Sequence, residues 1–163
     1  MAAGEPLGLR PGHTSTIRRV EGGMLSYHAD MTAANNPFEL GLDRLVDLDM
    51  EADFIGKAAL RRIQQAGVTQ RQVGLVLNGA ALSGPNTAYW PVRAENQVVG
   101  QITSAVYSPR LEQNIALAMI GDGYSAVGTQ LEADLPSGVR DVTIVEKPFF
   151  DPKKAIAAST HPA

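Results

Sequence analysis

After Gly67 the hydrophobic pattern changes its period. The runs RQVGLVLNG, YWPVRAENQVVGQITSAVY, NIALAMI and TQLEADLPSGVRDVTIVEK place apolar residues two apart, the spacing of strands with a buried face, and turn-forming residues separate them. AENQ reads as one hairpin turn and PSG as another, so the short spacing predicts an antiparallel barrel or sandwich that begins near residues 67–71. Val73, Leu75, Leu77, Ile102, Ile115, Leu117, Ile144 and Phe149 are its expected core.

Before Gly67 the pattern is mixed. Residues 1–16 hold glycines and prolines without a hydrophobic period and read as a flexible arm or a truncated start. Ile17 to Tyr27 alternates imperfectly, and with the bend allowed by Gly22 and Gly23 it predicts a strand and a turn. MTAANNPFEL is expected to be a loop whose Pro37 opens a short helix, and LDRLVDLDM a strand. The clearest helix is Phe54 to Ala66: Asp53 is placed to cap it, Ile55, Ala59, Leu60 and Ile63 share a face, and Gly67 ends it. Arg61 and Arg62 near its negative end read as a solvated terminus.

Composition narrows the chemistry. In 163 residues, 44% hydrophobic and 19% charged, there is room for a real core and no sign of gross disorder. A formal net charge of −3 offers no broad attraction for nucleic acid or anionic lipid, and neither is expected as a partner. The absence of cysteine removes disulfides, thiol nucleophiles and thiolate-bound metals, and suits a cytoplasmic protein. No apolar run is long enough to span a bilayer as a helix.

Most candidate motifs have a plain structural reading. His13, His28 and His161 lack the spacing that would bring two imidazoles to one metal ion. Asp47, Asp49, Glu51 and Asp53 alternate like calcium ligands but lack the glycine and closing glutamate of such a loop, so a solvated acidic loop is the better reading. GDGYSAVG precedes a strand, not a helix, which makes it a connection and not a phosphate loop. Ser104 and Ser108 have no neighbouring base and read as structural. There remains IRRVEGGMLSYHADM, where Arg19 and Glu21 would share one side of a strand with Tyr27 and Asp30 beyond the bend. Taken alone, that cluster reads as a surface ion pair beside a turn.

A resemblance changes this reading. RRVEGGMLSYHADM resembles the R-x-E-x-G and Y-G-x-D stretch of glycine cleavage T-proteins, the aminomethyltransferases; NPFELGLDRLVDLD resembles their T-P-x-E-A-G-L-x-W segment, and DFIGKAAL their D-F-I-G-x-x-A-L helix start. RQVGLVLNG, VGQITSAVYSPRLEQNIALAMI and EKPFFDP follow in the order of the family's C-terminal domain. EGGMLSYHADM, Trp90-Pro91 and PFFDPKK are most similar to the dimethylsulfoniopropionate demethylase branch, whereas the iron–sulfur assembly branch carries a K-G-C-Y-x-G-Q-E motif that this cysteine-free chain lacks.

The resemblance implies an α+β, mostly β, architecture: the end of a folate-binding α+β domain over residues 17–68, a C-terminal antiparallel β-barrel or jelly-roll-like domain over 69–152, and a tail over 153–163. It implies the C-terminal portion of a tetrahydrofolate-dependent methyl or aminomethyl transferase. Its partners would be a small-molecule methyl donor and a missing amino-terminal half that holds the family's catalytic aspartate. No catalytic residue is therefore expected within this chain, and the alternative is a non-catalytic folate-binding or protein-interaction module of the same fold. Arg19, Glu21, Tyr27 and Lys154 are the implied folate-side residues, with Arg19 and Glu21 as a charge pair bracing the channel wall. Where T-proteins carry a folate-anchoring arginine, four positions before Arg19, this chain has Ser15. Arg18, Arg19 or a rearranged loop would then have to supply positive charge for the folate carboxylates, with Lys153 or Lys154 at the place where T-proteins carry a tyrosine or arginine after the final P-F pair.

Overall fold

In the computed structural model, which describes Pro6, Gly8, residues 15–153 and residues 155–158, six strands close a barrel: β1 (Gln70–Leu77), β2 (Trp90–Ala94), β3 (Gln97–Ser108), β4 (Gln113–Gly121), β5 (Gln130–Leu135) and β6 (Gly138–Val145). Neighbours around the barrel run β1-β4-β3-β2-β5-β6, and β1 pairs with β6 to complete the ring. Every pairing is antiparallel, from Gln70 opposite Gly121 to Leu135 opposite Gly138. The fold is thus the mostly β barrel that the alternation predicts. AENQ forms the β2–β3 hairpin with Glu95 in the left-handed region, and Pro136-Ser137 turns β5 into β6.

Two apolar clusters hold the barrel. The interior is filled by side chains including Val73, Leu75, Leu77, Val92, Ile102, Ala118, Leu131 and Ile144. The second cluster lies outside the ring, where Val106, Ile115 and Leu117 meet Val20, with Phe149 packed partly buried against them. Ile115, Leu117 and Phe149 therefore belong to a covering layer and not to the interior. Phe149 lies over Gly74, where an added Cβ would stand 3.0 Å from the ring, so glycine is what lets this aromatic approach the sheet.

The covering segment departs from the expected strands. Thr16–Glu21 is a helix, α1, that buries Val20 and Glu21. The Gly22-Gly23 pair ends it: Gly23, at φ 64°, donates to the Val20 carbonyl and Met24 to that of Arg19, the paired bonds of a left-handed helix stop. Pro37 opens only a turn, which the Asn36 side chain holds by accepting the Phe38 and Glu39 amides. Asp43–Leu45 is a single 3-10 turn, and the Asp47 carboxylate accepts the amides of Asp49 and Met50, a local arrangement that competes with strand pairing. The second helix, α2 (Lys57–Ala66), starts three residues later than its pattern suggests, because Gly56 takes φ 95° at its N-cap and Asp53 reaches only the adjacent Phe54 amide. Gly67 follows its end at φ 80°. Arg61 is tied, not merely solvated, since its guanidinium donates to the Leu48 carbonyl at 2.7 Å. A short α3 (Ala155–Ala158) lies in the tail. No helix among the described residues is long and apolar enough to cross a membrane.

Candidate functional site

The joint between the covering segment and the barrel is built around Asp30. β3 carries an irregularity between Ile102 and Ser104, so that Thr103 and Ser104, consecutive in sequence, both reach outward from the strand. Their hydroxyls donate to one oxygen of Asp30, at 2.7 Å and 2.6 Å. The other oxygen accepts Arg19 at 2.5 Å and the Ser26 amide at 2.9 Å. Arg19 also donates to Ser104 at 2.8 Å and to the Met24 carbonyl at 3.1 Å, which closes a network across three chain segments. The Asp30 side chain is fully buried and that of Arg19 is 15% exposed, so this ion pair is largely shielded from solvent.

A second anchor lies next to it. Glu21 is buried; its carboxylate accepts the Ser108 hydroxyl at 2.5 Å, and its main-chain carbonyl accepts the amides of Phe149 and Phe150. Arg110 stands 4.0 Å from the Glu21 carboxylate and stacks over the Phe150 ring. Arg19 and Glu21 therefore do not pair with each other. The helix turns them toward different partners, Asp30 and Ser108, where a strand would have aligned them. Ser104 and Ser108 are structural, as their sequence context suggests.

Lys147 completes the charged layer. Its ammonium donates to the Gln72 side-chain oxygen, and the nearby Asp30 carboxylate favours its charge. Burial outweighs that attraction and lowers its pKa from 10.5 to about 8. The Gln72 side-chain nitrogen, also buried, has no hydrogen-bond partner among the described residues.

Two cavities open beside this joint. One, of about 410 Å³, is lined by residues including His28, Asn86, Thr87, Tyr89 and Thr103; the other, of about 260 Å³, by residues including Asp30, Met31, Asn35, Gln101 and Met119. They share Ala29, Tyr89 and Thr103. Tyr89 donates to the His28 carbonyl at 2.9 Å, and Tyr27 packs edge-on against the His28 ring at 4.3 Å. Asn86 fixes the β1–β2 connection to the same bulge: its amide nitrogen donates to the carbonyls of Ala88 and Thr103, and its oxygen accepts the Ala105 amide. The result is a concave, mostly neutral wall with aromatic rims and a buried carboxylate at its base.

Of the folate-side residues suggested by the sequence, Arg19 and Glu21 lie in the joint, Tyr27 is exposed at its edge, and Lys154 lies outside the described residues. Asp30 belongs to the cluster that the sequence marks, but its role as the centre of the joint does not show there; Asn86, Tyr89, Thr103 and Lys147 carry no such signal, although the polar pair Thr103-Ser104 inside an apolar alternating run marks a bulge. Among the described residues, no group of three or more histidine or acidic side chains is placed to hold a metal ion.

Comparison with known proteins gives one family. The sequence family described as the glycine cleavage T-protein C-terminal barrel domain matches residues 70–151, which is half of the chain. The chain is 41% identical over 145 residues to an aminomethyltransferase of Synechococcus sp. (strain CC9902), covering 89% of this chain and 38% of that protein. It is 39% identical over 145 residues to the dimethylsulfoniopropionate demethylase of Ruegeria pomeroyi, covering 89% and 39%. The solved structure of glycine cleavage system aminomethyltransferase T from Bartonella henselae superposes with a TM-score of 0.74 at 21% identity, over 83% of this chain and 38% of that one. At that identity the structural likeness speaks for the fold. The chain spans about two fifths of the length of the curated relatives it matches.

Proposed function

The chain belongs to the glycine cleavage T-protein C-terminal barrel family, and from that premise we propose that it is the C-terminal portion of a tetrahydrofolate-dependent methyl or aminomethyl transferase. The observation that carries this reading is the Asp30 joint. A buried carboxylate with four donors fixes residues 26–31 to the barrel and thereby fixes one wall of the adjoining cavities. Transfer chemistry that works by positioning needs a wall held in place before the ligand arrives.

The exposed groups suit a flat heteroaromatic ring. Tyr89 and His28 offer faces and edges at the larger cavity, Tyr27 backs His28, and Thr87 adds a hydroxyl. Tetrahydrofolate would supply the nitrogen that accepts the one-carbon unit. In this reading Tyr27 acts on the ligand side through the His28 ring that it supports, Arg19 and Glu21 act by holding the wall, and Lys153 or Lys154 is the cation for the folate carboxylates. An amino-terminal portion, corresponding to the other three fifths of the relatives, brings the catalytic carboxylate and the small-molecule methyl donor.

The test is a chimaera in which this chain replaces the matched C-terminal stretch of the Ruegeria pomeroyi enzyme. We expect transfer of a one-carbon unit to tetrahydrofolate by the chimaera and none above a boiled control by the 163-residue chain alone. Arg19→Ala in the chimaera should weaken tetrahydrofolate binding roughly tenfold, the scale of one lost charge-assisted bond, and more than Arg61→Ala does. A folded chimaera that neither binds tetrahydrofolate nor transfers would instead favour a non-catalytic interaction module.

A further inference from the structure

The second helix is amphipathic but largely uncovered. Of the ten residues of α2, only Lys57 is buried, while Ala59, Leu60 and Ile63, which share its apolar face, are half-buried. A helix of this length is marginal on its own and normally relies on tertiary cover of its apolar face. The loop before it adds to that face without covering it. Lys57 donates to the carbonyls of Met50 and Ala52, and Arg61 to that of Leu48, which ties the loop along the helix flank. Leu48 of this loop is buried, but other apolar side chains stay in solvent: Ile55 is fully exposed, Leu45 is 67% exposed and Met50 43%.

The rim of this surface is acidic. On the loop side Asp43, Asp47, Asp49, Glu51 and Asp53 are all exposed and Arg44 is the one basic residue between positions 43 and 56, while the exposed Arg61 and Arg62 lie on the helix itself. Pairing with a second copy through the same patch would set these carboxylates against themselves, because a two-fold contact brings each patch onto its twin. A partner with an apolar centre and a basic rim fits instead. The relatives carry about three fifths of their length outside the matched region, and α2 itself lies before the barrel match at residues 70–151.

We propose that the apolar face of α2, with Met50 and Ile55 beside it, is the seat of the amino-terminal portion of the transferase. This rests on the reading of the chain as a C-terminal portion. Contact there covers Leu60 and Ile63 and neutralises part of the acidic rim.

The test compares amide hydrogen exchange of α2 in the 163-residue chain and in the chimaera with the Ruegeria pomeroyi enzyme, using barrel amides to confirm that both are folded. We expect α2 amides to exchange at least about tenfold more slowly in the chimaera, as covered helices do relative to frayed ones. Ile55→Asp, at a fully exposed position whose change should leave the isolated chain folded, should remove most of that protection in the chimaera. Val98→Asp, at another exposed apolar position, should leave it intact. Equal exchange of α2 in the two proteins, or protection indifferent to Ile55→Asp, overturns the proposal, as does a chain that dimerises through this helix. Protection of α2 without tetrahydrofolate binding would sustain this surface while removing the folate reading. Tetrahydrofolate transfer with an unprotected α2 would do the reverse.

Discussion

The barrel and the segment that precedes it are held by different physics. The barrel closes on itself, so each strand has two neighbours and its inward face lies in a continuous apolar interior. Residues 15–68 contribute a six-residue helix, a ten-residue helix and turns, and lean on the barrel through an apolar contact at Val20 and polar bonds at Asp30 and Glu21. Apolar packing tolerates graded change. A joint made of one buried carboxylate and its donors is expected to fail abruptly when the carboxylate is lost.

The sharpest way to break the comparison is Asp30→Ala. It leaves the Arg19 guanidinium, 15% exposed, without its anionic partner and strips two hydroxyls of their acceptor. Removing one member of a buried ion pair costs about 3–5 kcal/mol, and urea unfolding followed by circular dichroism would register it. Exchange of amides in residues 15–31 should accelerate well before that of the barrel amides. A loss below about 1 kcal/mol, the range of a surface pair, would mean that the joint does not hold the segment.

A second, somewhat smaller effect depends on pH. Burial lowers the Lys147 pKa from 10.5 to about 8, so in folding the chain disfavours the protonated amine. Below pH 8 both states hold the proton and the penalty is constant. Between about 8 and 10.5 the unfolded state binds more protons than the folded one, so stability rises with pH, by at most about 3 kcal/mol. Lys147→Met removes this dependence. Unfolding curves of the two proteins across that window should therefore diverge in favour of the parent as pH rises, and parallel curves would show that Lys147 is not desolvated in the fold.

The same contrast explains what could be read in advance. The barrel strands follow from period-two alternation, and their hairpins from AENQ and PSG, because those signals are local. The division between interior and covering layer is less legible: seven consecutive residues of β4 are buried, so Ile115 and Leu117 give no sign of which side they face. In α1, Ile17 and Val20 suit a helix as well as an irregular strand, and the double glycine, read as a bend, is the helix stop. The Asp30 joint is the least legible part. Its hydroxyl donors Thr103 and Ser104 stand 73 and 74 positions away, and Arg19 meets Ser104 across 85, distances over which no periodicity operates. The cluster from Arg19 to Asp30 could be noticed, but which residue would pair with which depended on the helix.

The smallest expected effect sharpens the comparison from the barrel side. Arg71 on β1 and Asp122 after β4 form an ion pair on the barrel surface, with side chains 48% and 43% exposed. Arg19 and Asp30 form a pair of the same chemical types, buried at the joint. Water and salt screen the exposed pair, and two mobile side chains lose freedom to hold it, so its coupling energy should be about 0–1 kcal/mol. A double-mutant cycle over Arg71→Ala and Asp122→Ala would measure that coupling, and added salt should reduce it further. The corresponding cycle over Arg19→Ala and Asp30→Ala should give a larger coupling that changes little with salt, because the low-dielectric surroundings of Asp30 admit few counterions. If both cycles gave the same value with the same salt dependence, burial would not be what distinguishes the joint from the barrel surface, and the hold of Asp30 on the cavity wall would need another cause.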